Sequence, residues 1–147
     1  MHYFYLLLAI AAGAMMPTQG AVNNKLATYT QSPLLAAFIS FAVGLLALLV
    51  FILMSGIPLS QLGQAKQAPP IAWIGGILGA FFVTAVVMTV PKLGVALTFS
   101  LLVLGQMLAT LPIDHYGFAG VIARAVNWPR IAGVLLIIAG VILIRKY

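Results

Sequence analysis

The chain has 147 residues, of which 64% are hydrophobic and only 5% charged, and its mean hydropathy is +1.20. A soluble domain carries about 25% charged residues, so this chain cannot cover itself with a water-compatible surface; it reads as an all-α integral membrane protein of one domain over residues 1–147. The net charge of +6 comes from seven scattered basic residues, which reads as anchoring at lipid headgroups and excludes a nucleic-acid patch.

Five apolar segments are predicted to span, at about 3–22, 33–54, 70–90, 94–112 and 129–145. They are too long for membrane strands and lack alternation. The first is read as a retained helix and not a signal peptide, because no basic region precedes it and Thr18-Gln19-Gly20 is a poor cleavage context. It ends MMPTQGAVNNKL, where Pro17 is predicted to kink it. Gln19 and Asn23, four apart, share a face. They can satisfy carbonyls freed by Pro17, or line a polar cavity.

Ser32-Pro33 opens the second helix as a cap followed by proline, and Asn127-Trp128-Pro129 does the same for the fifth. Ala36, Ser40 and Gly44 line one edge of the second helix. Gly75, Gly76, Gly79, Ala80 and Thr84 line the third, which this glycine density places centrally. The longest loop, 55–69, is polar and read as solvent-facing. Tyrosines and tryptophans, Trp73 among them, lie near segment ends as an aromatic belt does.

The stretch from Pro91 to Gly117 carries the most chemistry. A break at Pro91-Lys92-Leu93-Gly94 opens it, and an apolar run follows with one amide, Gln106, and Thr110 on the same face. An unpaired amide in hydrocarbon costs several kcal/mol, so Gln106 either bonds a neighbouring helix or faces a wet cavity. Asp114, the chain's single acid, follows Pro112 at the helix end. It is either a structural carboxylate paired with Arg124 or Arg130, or, with His115 beside it, a proton-coupling group. With no cysteine, no glutamate and two histidines, the chain offers no metal-ligand cluster, no paired carboxylates and no phosphate loop, so no enzyme, metal or cofactor is expected.

The segments GAMMPTQGAVNNKL, SPLLAAFISFAVG, WIGGILGAFFV, VPKLGVALTFSLLVLGQMLATLPIDHYG and RIAGVLLIIAGVILI together resemble the YdcZ-like branch of the drug/metabolite transporter superfamily. The resemblance implies a bacterial inner-membrane exporter of small molecules, similar to one half of a ten-helix carrier built from inverted repeats. It implies a cavity lined by the first four helices, with the fifth peripheral. Related small multidrug carriers couple to protons through a glutamate in the first helix; here that helix has no acid, which puts such antiport in doubt.

These readings combine into a secondary transporter for a small or amphipathic metabolite or drug. Its midplane cavity involves Gln106, Gln19, Asn23, Thr84, Trp73 and Thr110, with Asp114 and His115 as the proton-coupling candidates. The alternative is a lipid-carrier flippase or a non-transporting accessory subunit. Five helices supply only half of a two-fold cavity, so a homodimer is expected. Lys66, Arg124 and Arg130 fall on one side and Lys25, Lys92, Arg145 and Lys146 on the other, a balance that permits an antiparallel pair.

Overall fold

The computed structural model describes residues 2–147. Five α-helices run His2–Thr30 (α1), Pro33–Met54 (α2), Ile74–Leu93 (α3), Val95–Tyr116 (α4) and Trp128–Lys146 (α5). There is no strand among the described residues. All five are long and apolar enough to cross a membrane, α3 together with the short 3-10 turn Pro70–Trp73 before it. The all-helical membrane fold expected from composition is the one observed. The chain divides into two compact units, one up to Pro91 and one from Lys92 onward.

In the first unit α1 does not end near residue 22. It continues through Pro17 and the polar residues Gln19 to Lys25 as far as Thr30, and stops only where Gln31 takes a positive φ of 52° ahead of Pro33. Pro17 deletes one rung of the helical ladder without ending it, as is common in lipid. α2 starts as the sequence predicts: Ser32 is extended, its Oγ accepts from the Leu35 amide (3.3 Å), and Pro33 occupies the first turn. It ends in a Schellman closure, Ile57 N–H to Ile52 O and Gly56 N–H to Leu53 O, with Gly56 at φ +68°.

The core of this unit is small. Ala36 and Ala37 of α2 meet Val83 and Val87 of α3, with Leu26 and Ala27 of α1 and Phe82 packed against them. Two consecutive alanines let neighbouring helices approach closely, the usual basis of association in lipid. α3 is the most buried span, but its valines, not its glycines, are responsible: Val83, Val86, Val87 and Val90 are buried, whereas Gly75 and Gly76 border open space and only at Gly79 would an added Cβ meet a neighbour, the Phe41 ring at 3.3 Å. The 55–69 connection is exposed almost throughout and carries a 3-10 helix over Leu59–Gln67.

Where the first unit gives way to the second along the chain, the expected break at 91–94 narrows to one residue. Pro91 sits inside the last turn of α3, and Gly94 (φ +77°) separates α3 from α4. α4 runs through Pro112 to Tyr116 and closes on left-handed Gly117. α5 is capped by Asn127, whose Oδ1 accepts from the Arg130 amide (3.1 Å). α4 packs against α5.

Candidate functional site

The extra turn of α4 moves Gln106 to the middle of its helix. It lies 11 residues from Val95 and 10 from Tyr116, about 16 Å and 15 Å along the axis. In one chain its side chain is exposed.

On α1, Gln19 and Asn23 do share a face, as expected. Both border a tight seam with Met16, Gly20, Phe82, Val83 and Val86 that has no room for a water molecule. Asn23 is buried there, 5% exposed, whereas the buried side-chain polar atom that lacks a partner among the described residues is Thr98 Oγ1 on α4. Gln19 is exposed and lines a second groove of about 310 Å³ with Ser40, Phe41, Gly44, Leu45 and Leu48. The hydroxyl that folds back onto the helix beside Pro17 is that of Thr18, donating to Ala14 O (3.0 Å).

Thr84 and Thr110 donate to carbonyls of their own helices, Ala80 O at 2.8 Å and Met107 O at 3.0 Å. Such back-bonding satisfies a hydroxyl inside a helix without any further partner. Trp73 is exposed at the start of its span.

A third cleft, of about 380 Å³, opens between α4 and α5. Met107, Thr110 and Leu111 face Gly133, Val134 and Ile137 across it, and Asp114 and Arg130 close one end. Arg130 Nη1 lies 3.2 Å from Asp114 Oδ2, each side chain about one-third exposed. Of the two arginines the sequence offered to Asp114, Arg130 takes the carboxylate and Arg124 takes the main chain, its amide donating to Asp114 O at 2.7 Å.

Three further features tie this corner together. Arg130 Nη1 reaches Arg124 O (3.4 Å), and the Val126 amide donates to His115 Nδ1 (3.4 Å). A side chain at Gly117 would meet Val121 O at 3.0 Å. Asp114 and His115 are thus both engaged in holding the 117–127 connection to the end of α4. Asp114 stands eight residues beyond Gln106, about 12 Å along the helix, near the edge of a hydrocarbon layer centred on the amide.

Sequence reasoning did not anticipate the α4/α5 cleft, because the resemblance makes the fifth helix peripheral. The signal was present: Asn127 and Pro129 start α5, which places Arg130 in its first turn and Gly133 three residues on, along the same edge.

A family model described as "Putative inner membrane exporter, YdcZ" matches residues 4–143. The chain is 27% identical over 144 residues to the inner membrane protein YdcZ of Escherichia coli (strain K12), an alignment covering 96% of this chain and 94% of that protein. No solved structure matches.

Proposed function

The chain belongs to the YdcZ family of inner-membrane proteins, and from that premise we propose that it is a secondary transporter exporting a small or amphipathic molecule through a midplane cavity completed by a second chain. The observation that carries this reading is Gln106. An amide at the centre of a spanning helix, exposed on the single chain, is several kcal/mol unfavourable against acyl chains. A second chain or a wet cavity removes that penalty, and a carrier of this kind provides both. Gln19, exposed on α1, supports the same reading. The remaining candidates, Asn23, Thr84, Trp73 and Thr110, contribute shape and occasional polar contact. Asp114 and His115 serve as the proton site only if the ion pair and the imidazole contact described above open during the cycle.

The test begins with a thermal-shift screen of the purified protein against metabolites, drugs and lipids. A ligand at one hundred times its Kd stabilises by about 2.7 kcal/mol. Hits are then followed as counterflow in proteoliposomes. Gln106→Leu should abolish counterflow while leaving Tm unchanged. A Gln106→Leu protein that transports at the parental rate would overturn the proposal.

A further inference from the structure

The α4/α5 cleft has chemistry of its own. Its walls are apolar, from Met107 and Leu111 on one side and Val134 and Ile137 on the other. The Thr110 hydroxyl is already bonded to Met107 O. The charges bordering it are those of Asp114 and Arg130. Its volume of about 380 Å³ falls at the small end of the range for ligand sites, about 300–1,000 Å³.

We propose that this cleft binds a compact zwitterion with an aliphatic body, of the α-amino-acid type, by exchanging the Asp114–Arg130 pair for two ion pairs to the ligand. A singly charged ligand would take one partner and leave the other charge, only about one-third exposed, without a counter-charge, which is unfavourable. A zwitterion leaves neither unmatched. The two charged atoms start only 3.2 Å apart, so a ligand that pairs with both must carry its own opposite charges on neighbouring groups. The body then lies along the apolar walls toward Gly133, where the missing side chain leaves open space. This inference concerns binding and does not depend on the export reading.

The experiment is titration calorimetry on the protein in phosphatidylglycerol nanodiscs with three ligands of one body: leucine, the cation leucinamide and the anion N-acetylleucine. Nitrogen-15 NMR of the arginine side chains is recorded in parallel. Leucine should bind with a Kd at least about tenfold below either analogue and should shift the Arg130 resonance. Gly133→Leu, whose new side chain enters the open space, should lose leucine binding by a similar factor while keeping the parental Tm. If that variant does not fold, Asp114→Asn should raise the leucine Kd to that of N-acetylleucine. Equal binding of the three ligands, no leucine binding, or binding untouched by these substitutions overturns the proposal. So does a shift of Arg130 on changing the lipid to phosphatidylethanolamine with loss of leucine binding, which would assign the cleft to a lipid headgroup.

Discussion

Replacing Gly117 by alanine should destabilise the protein, and the structure sets the scale. Gly117 has φ +62° and ψ 38°, a left-handed conformation that costs a residue bearing a Cβ about 1–2 kcal/mol. The new methyl would also lie 3.0 Å from the Val121 carbonyl oxygen and 3.3 Å from the Ala123 Cβ. Backbone cannot give way as a flexible side chain can, so the 117–127 connection must shift. The bond most exposed to that shift is Arg124 N–H to Asp114 O, 2.7 Å long, and a hydrogen bond of this type contributes about 0.5–1.5 kcal/mol. The expected loss is therefore about 2–3 kcal/mol. Gly140→Ala in α5 is the control: its Cβ meets nothing within 4 Å and the residue is helical, so alanine should stabilise by about 0.5–1 kcal/mol. Reversible unfolding in mixed micelles, titrated with dodecyl sulfate and followed by circular dichroism, measures both. Equal stability of Gly117→Ala and the parent, or the same sign for both substitutions, would refute the closure of α4 described above.

Thr98→Val should leave stability unchanged or raise it, because it removes a buried hydroxyl that has no hydrogen-bond partner among the described residues; a loss above about 1 kcal/mol in the same assay would mean that the hydroxyl has a partner in the assembled protein. If export is proton-driven, the double substitution Asp114→Asn, His115→Gln should make transport independent of a pH gradient, and full retention of proton-driven accumulation would reject that assignment. Single cysteines placed near each terminus and labelled with an impermeant reagent in intact cells should each react in only a fraction of the copies if the pair is antiparallel, because each terminus then faces outward in some chains. Labelling of every amino terminus from one side would exclude it.

The five spans were legible because continuous apolar runs of this length have few alternatives, and because two boundaries carry capping residues. Ser32 and Asn127 both act as side-chain caps, each with proline beside it. Other boundaries were misplaced for one physical reason. In a membrane, helices tolerate what would end them in water, so Pro17, Pro91 and Pro112 all lie inside helices and the polar run from Gln19 to Lys25 remains helical. Glycine patterns also misled. Gly75 and Gly76 are at helical spacing suited to close packing, yet within one chain the valine face of α3 does the packing. The Gln19–Asn23 face followed from four-residue spacing alone. The choice of Arg130 over Arg124 for Asp114 did not, because it depends on how the 117–127 connection folds back, and left-handed Gly117 governs that path.

The unbroken length of α1 also makes it a depth gauge. Twenty-nine residues extend about 43 Å, well beyond a hydrocarbon layer about 30 Å thick, so the helix must tilt or project into the headgroups. Tyrosines mark its two ends: Tyr5 near the start, and near the finish Tyr29, with the Lys25 ammonium 5.5 Å from its ring centroid. Residues of both kinds favour the water–lipid boundary. The two rings are 24 residues apart, about 36 Å, and Gln19 falls about 21 Å from one and 15 Å from the other. Interfacial anchoring alone thus brings an α1 amide close to half depth. A bilayer a few ångströms thinner would increase the tilt of α1 while leaving Gln19 near the centre, so lipid thickness becomes a handle on the angle of this helix that does not disturb the depth of its amide.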